Sequence, residues 1–83
     1  MKRYKEYFVW YEEGHDDLDE TWRLLGVFLN EEDAQKCRDL QVEMCKLFFK
    51  GAEEELKVIK KENTIYVGTE KPYCQVAIKE RWV

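Results

Sequence analysis

Side chains that could serve as a nucleophile or a base are few in this chain of 83 residues. Serine is absent, which excludes serine nucleophiles, and His15 is the single histidine. His15 lies among carboxylates in the segment EEGHDDLDE, where it could act as a base or hold a divalent ion. That spacing does not fit the D-x-D-x-D-G calcium loop, and any nucleophile–histidine pair would depend on this one residue. We therefore expect no enzyme and no cofactor, and a weakly bound divalent ion is left open.

The three cysteines form no recognisable metal or redox motif. None belongs to a C-x-x-C pair, so the paired ligands of a zinc site are missing. Cys37 and Cys45 are eight residues apart on a predicted helix, about 12 Å along its axis, which is too far for a disulfide. The pattern, with Cys74 as the third member, is typical of reduced cysteines in a core.

Length and composition indicate one folded domain over residues 1–83. A chain this short is marginally stable by itself, and a second copy is one usual addition to its core. The aromatic content of 14% supplies core side chains, while 39% of the residues are charged. No apolar run reaches the ~20 residues of a membrane span and no signal peptide is evident. We therefore expect a cytoplasmic protein that does not contact membranes.

Hydrophobic patterning predicts the order β-β-α-β-β-β. Aromatic and β-branched residues favour strands, and Gly51, Gly68 and Pro72 mark turns. The acidic segment EEGHDDLDE is predicted to be the loop of a hairpin. This pattern predicts an α+β fold, in which an antiparallel sheet of four to five strands carries one helix on one face. The predicted elements are strands 3–12 and 21–29, a helix over 30–50, and strands 56–60, 64–67 and 74–83.

The helix has clear end signals and a broad apolar arc. Asn30 is a good N-cap with Asp33 three residues later, and Gly51 is placed to end the helix. One stripe at helical spacing is predicted to face the sheet. It comprises Ala34, Cys37, Leu40, Met44, Leu47 and Phe48, and the arc is widened by Val42, Cys45 and Phe49.

The first two strands are apolar on both faces, although a half-exposed sheet favours alternation. One helix covers only one face, so the other needs a homodimer, a partner protein, or the last strand curling into a barrel. Aromatic residues tolerated at the surface are the remaining alternative. We predict a homodimer or higher oligomer, with an interface at Tyr7, Val9, Tyr11 and Trp22. The second strand is predicted to place Trp22, Leu24 and Phe28 on one face and Leu25, Val27 and Leu29 on the other.

Charge is unevenly distributed along the chain. Between positions 12 and 33 there are nine carboxylates against Arg23 alone, and the formal net charge of the chain is −4. Such a segment either binds a protein with a basic surface or is a solvated loop. The predicted protein-binding residues are Glu12, Glu13, Asp16, Asp17, Asp19 and Glu20.

Cations and aromatic residues alternate on the other strands. This combination suits stacking of a nucleotide base, but a pI near 5.0 disfavours a long polyphosphate. A small nucleotide, which needs two or three cations, therefore remains a candidate ligand. The cations are Lys2, Arg3, Lys5, Lys57, Lys60, Lys61, Lys79 and Arg81, and the aromatic residues are Tyr4, Tyr7, Tyr66, Tyr73 and Trp82.

The segment LLGVFLNEEDAQKC joins a strand ending in Gly-Val-Phe to a capped helix with Glu-Glu-x-Ala. It resembles small bacteriophage and mobile-element proteins, some of which are anti-defence factors. The resemblance covers about a sixth of the chain and implies no site residues. It implies a non-enzymatic binding protein, a phage-type inhibitor that acts by protein–protein contact on a host defence component. The alternative is an oligomeric sponge that sequesters a signalling nucleotide.

Overall fold

In the part of the chain that the structure describes, five strands and one helix follow one another in the predicted order. The computed structural model describes residues 3–15, 18–51, 56–69 and 72–83. The predicted α+β class is confirmed, and the third and fourth strands are separate. The elements are β1 (Lys5–His15), β2 (Leu18–Phe28), α1 (Glu31–Leu47), β3 (Lys57–Lys61), β4 (Thr64–Gly68) and β5 (Tyr73–Trp82).

The strands form one open antiparallel sheet in the order β2-β1-β5-β4-β3. The last strand pairs with β1 along its whole length, so it lies at the centre of the sheet. Barrel closure by this strand, one of the three predicted covers, is therefore wrong. The edges of the sheet are β2 and β3, and α1 packs on one face against β1, β2, β4 and β5.

The first hairpin is longer than the sequence predicts. Strand β1 continues to His15, and β2 already begins at Leu18, with His15 paired to Leu18. Most of the segment predicted as an acidic loop is therefore strand, which corrects the prediction. Backbone pairing with a neighbouring strand has overridden the low strand propensity of the carboxylates.

A register shift in the hairpin reassigns the faces of β2. Val9 pairs with Gly26 and Trp10 pairs with Leu24, so Leu25 is an extra residue at a bulge. An extra residue exchanges the faces of every residue beyond it, because side chains alternate with a period of two. Val27 consequently shares a face with Trp22 and Leu24, whereas Phe28 turns toward the helix. The predicted faces of Val27 and Phe28 are wrong for this reason.

The helix begins where its cap predicts and ends earlier than expected. The backbone N–H of Glu32 donates to Oδ1 of Asn30 at 2.7 Å, which confirms the N-cap. The regular helix ends at Leu47, and three i→i+3 bonds continue the chain as tight turns to Lys50. Gly51 follows with φ of 99°, a conformation that glycine adopts without steric cost.

The buried stripe of α1 is rotated from the predicted one. Four members of the predicted stripe, Leu40, Met44, Leu47 and Phe48, are exposed. The buried residues of the helix and its final turn are instead Ala34, Arg38, Val42, Cys45 and Phe49. The centre of the buried stripe is therefore formed by Val42, Cys45 and Phe49, which were predicted only to widen the apolar arc. The buried guanidinium of Arg38 is paired through Nε with Asp39 at 3.1 Å, which offsets part of its desolvation.

The core lies between α1 and the face of the sheet that the helix covers. The odd-numbered residues Val9 and Tyr11 of β1 are buried in the core and therefore point toward the helix. Their partners on β5 have even numbers and lie on the same face, because paired residues share a face. The buried apolar residues of this core are Val9, Tyr11, Ala34, Val42, Cys45, Phe49, Ile65, Val67, Cys74, Val76 and Ile78. The opposite face of the sheet contacts no helix among the described residues.

Candidate binding surfaces

The predicted acidic site is divided between different environments. Glu12 is only 5% exposed and Glu13 is half-buried on the other face of the sheet. Asp19 and Glu20 lie in β2, and Asp16 and Asp17 lie outside the described residues. Because Glu12 is buried, the prediction that it contacts a partner is wrong. Among the carboxylates of this stretch whose side chains the structure describes, the exposed ones are Glu31, Glu32 and Asp33 in the first turn of α1.

The predicted oligomer interface is also divided between the two faces. Tyr7, Val9 and Tyr11 point toward the helix, and Val9 and Tyr11 are fully covered by the core. Trp22 lies on the opposite face and is 51% exposed. An interface made of all four residues is therefore wrong, because the surface opposite the helix carries the even-numbered residues of β1.

We call the sheet surface opposite α1 the open face. One row crosses all five strands of this face, through Ile59, Tyr66, Gln75, Glu12 and Trp22. The other open-face residues are Glu6, Phe8, Trp10, Gly14, Leu24, Val27, Lys57, Lys61, Thr64, Gly68, Tyr73, Ala77, Lys79 and Arg81.

A hydrogen-bonded carboxylate stands at the centre of the open face. Oε1 of Glu12 accepts from the hydroxyl of Tyr73 at 2.8 Å and from Nε2 of Gln75 at 2.7 Å. The ring of Tyr73 stacks on that of Tyr66, with centroids 5.3 Å apart. Tyr73 also lies across Gly14, where an added Cβ would come within 2.2 Å of the ring. These contacts give the buried carboxyl oxygen Oε1 two hydrogen-bond donors and hold the tyrosine pair against the sheet.

The open face has a depression that we call the Trp cleft, which we define as Trp10, Trp22 and Lys79. These three side chains line a cavity of about 440 Å³. Trp10 pairs with Leu24 and Ala77, so Trp22 and Lys79 are its diagonal neighbours on the two adjacent strands. Such diagonal neighbours are within reach of large side chains. The cleft therefore combines two indole rings with one ammonium group.

The helix carries a second exposed apolar surface, the helix flank, formed by Leu40, Met44, Leu47 and Phe48. Their exposed fractions range from 50 to 72%. The spacing i, i+4, i+7 and i+8 places them on one stripe of α1 and its C-cap. Met44, Leu47 and Phe48 line a depression of about 300 Å³. The flank is thus continuous and not a set of scattered side chains.

The core contains a polar cluster that the sequence did not reveal. The hydroxyl of Tyr11 lies 3.3 Å from Sγ of Cys74 and donates to Glu13, and Cys45 hydrogen-bonds with Cys74. Burial, followed by the Cys74 contact, raises the pKa of Tyr11. The hydrogen bond with Cys74, followed by burial, raises the pKa of the Cys45 thiol, and burial raises that of Cys37. A thiol with a raised pKa stays protonated near neutral pH and is a poor nucleophile.

Metal-ligating and membrane-spanning features were also sought. Across residues 3–15, 18–51, 56–69 and 72–83, no group of three or more histidine, cysteine or acidic side chains is arranged to hold a metal ion. The backbone of His15 ends β1, and its side chain is outside the description. Within the same ranges no helix has the length and apolar character needed to cross a bilayer.

The described residues define an α+β fold in which one sheet face carries no helix and the helix has an exposed apolar flank. Comparisons with protein-family models, with curated proteins and with solved structures found no match.

Proposed function

We propose that this chain is a non-enzymatic binding protein that acts by protein–protein contact, and that the helix flank is its contact surface. The observation that carries the proposal is the exposure of four large apolar side chains in one stripe. Leaving such a stripe in water is unfavourable by roughly 25 cal/mol per Å² of apolar surface. A partner that covers the stripe recovers this free energy, and amphipathic helices commonly bind through such anchors.

The non-enzymatic part rests on the side chains available for catalysis. The sequence contains no serine, and the raised pKa values of Cys37 and Cys45 disfavour thiolates at neutral pH. His15, the single histidine of the chain, is then the main candidate for a general base. Replacing His15 by Ala is expected to leave binding and biological activity unchanged.

The finer proposal is a phage-type inhibitor that binds a host defence component with a basic surface, as an oligomer of this chain. Its support is the exposed acidic first turn of α1, on the same helix as the flank. A basic partner could then meet carboxylates at one end of the helix and apolar side chains at the other. Reversal of Glu31 and Glu32, which are exposed in that turn, to Lys is expected to weaken that binding, and unchanged affinity would remove the acidic contribution.

Site-specific photo-crosslinking tests the contact surface. A photoreactive amino acid is placed at Phe48 on the flank, or at Lys60, which is exposed on β3, a strand that makes no contact with α1. In cells that express the chain, we expect a protein adduct from position 48 and none from position 60. Mass spectrometry then identifies the adduct as a second copy or as a foreign basic protein. Equal yields at both positions, or no adduct at either, would contradict the proposal.

A further inference from the structure

The accessible charge of the open face differs in sign from that of the whole chain. Four cations lie on this face, whereas the formal net charge of the chain is −4. Among the carboxylates whose side chains the structure describes near these cations, Glu6 pairs with Arg81 at 2.8 Å and Glu12 is buried and hydrogen-bonded. Glu62, in the turn between β3 and β4, is exposed beside Lys61. The described side chains around Lys79 and Arg81 therefore offer more positive than negative charge to an anion. The cations are Lys57, Lys61, Lys79 and Arg81.

Lys79 is the cation best placed to bind an anionic ligand. It is exposed, it lines the Trp cleft, and it forms no ion pair with any residue that the structure describes. Arg81 lies two residues further along the same strand and on the same face. One amino group of Arg81 donates to Glu6, and an arginine has five donors in all, so the rest remain able to bind an anion.

The Trp cleft supplies the second half of a recognition site. Trp22 is half-exposed and Trp10 is half-buried, so an indole surface is open to a planar ligand. The depression of about 440 Å³ is widely open to solvent, so a planar ligand would lie against the indole surface without being enclosed. Aromatic rings beside cations recognise a planar base joined to a phosphate.

We infer that the Trp cleft binds a nucleotide, with its base stacked on Trp22 and Trp10 and its phosphate bound by Lys79 and Arg81. The site lies on the open face, so it is independent of the helix flank. A ligand with few phosphates fits the charges better than a long strand, because the overall negative charge repels a polyanion. A free nucleotide and the end of a single strand share this chemistry.

Quenching of tryptophan fluorescence tests the inference. Titrations use AMP, ADP and a cyclic dinucleotide, a short single-stranded oligonucleotide, and two partial ligands, adenosine and inorganic phosphate. The variants are Trp22→Leu and Lys79→Gln, both at exposed positions. The matched controls are Trp82→Leu, at an exposed tryptophan that contacts Lys5, and Lys60→Gln. Isothermal titration calorimetry repeats each measurement without relying on a fluorophore.

We expect saturable binding of a nucleotide that is stronger than binding of either partial ligand. Trp22→Leu should weaken it by about tenfold, the size of one base–aromatic stack, and both controls should stay within about twofold of the parent. Absence of saturable binding below about 1 mM, or equal losses in the Trp82→Leu control, would overturn the inference. If only the oligonucleotide binds saturably, the ligand is not a free nucleotide, and the cleft binds the end of a single strand.

Discussion

The two adjacent phenylalanines at the end of α1 provide the sharpest test of how the helix is oriented. Phe49 is 7% exposed and packs in the core, whereas Phe48 is 72% exposed on the helix flank. We therefore expect opposite outcomes for Phe49→Ala and Phe48→Ala. The substitution is chemically identical, and both positions lie in the turns that follow the helix, so each variant is the matched control of the other.

The magnitude follows from the two burial values. Replacing a buried phenylalanine by alanine costs about 3–5 kcal/mol, and we expect about 3 kcal/mol at Phe49, because the end of a helix can partly collapse into the space. In a domain of this size that loss lowers the Tm by roughly 12–24 °C. Phe48→Ala should change the free energy of unfolding by less than about 0.5 kcal/mol.

Urea denaturation followed by circular dichroism measures both variants. Low protein concentration is used, so that covering of the flank by a second copy does not stabilise the fold. A large loss for Phe48→Ala with a small loss for Phe49→Ala would refute the orientation of α1 and favour the stripe predicted from sequence. Losses of equal size would show that the flank is covered within a single chain.

Three further substitutions or conditions probe the other elements. Asn30→Ala removes the side chain that caps α1 and should cost about 1 kcal/mol, measured by urea denaturation with Asn30→Asp as the conservative control. Tyr73→Phe removes the hydroxyl that donates to buried Glu12; we expect a loss of about 1.5–3 kcal/mol, and a loss below 0.5 kcal/mol would mean that the bond contributes little. Stability should fall as pH rises above 9.0, the ordinary pKa of Cys45, because the unfolded state releases a proton that the folded state retains. The slope should approach about 1.4 kcal/mol per pH unit for each such group, and Cys45→Ala should reduce it, whereas an unchanged slope would contradict the raised pKa.

The proposals for the two surfaces can fail separately. If no crosslink forms at Phe48, the proposal for the helix flank fails, but the inference about the Trp cleft still stands. The reason is that the two surfaces lie on different layers of the fold. In the same way, a Trp22→Leu variant that binds nucleotide normally would count against the Trp cleft and not against the helix flank. A variant that lost both activities would indicate unfolding, which the urea measurements detect.

Local patterns in the sequence determined the elements and their order. Asn30 caps the helix through its own side chain, so the start of α1 depends on nearby residues alone. Gly51 permits the positive φ that ends the turns after the helix. Phe8 and Trp10 were correctly separated from Tyr7, Val9 and Tyr11, because alternation within a strand is a local property.

Tertiary structure decided which apolar surface is covered. The helix has apolar side chains on most of its circumference, and only packing against the sheet selects Val42 and Cys45 over Leu40 and Leu47. The extra residue at Leu25 exchanges the faces of Val27 and Phe28, and no local pattern marks that bulge.

The candidate sites depend on tertiary structure most of all. Trp10, Trp22 and Lys79 come together only because β5, the last strand, lies beside β1. The sequence indicated the kinds of side chain, basic and aromatic on strands, but strand order brought these three to one cleft. Likewise, the carboxylate of Glu12 becomes a buried acceptor and not part of an acidic surface, because pairing with β5 places it beside Tyr73 and Gln75. Contacts between residues distant in the chain are set by global packing, which no window of the sequence contains.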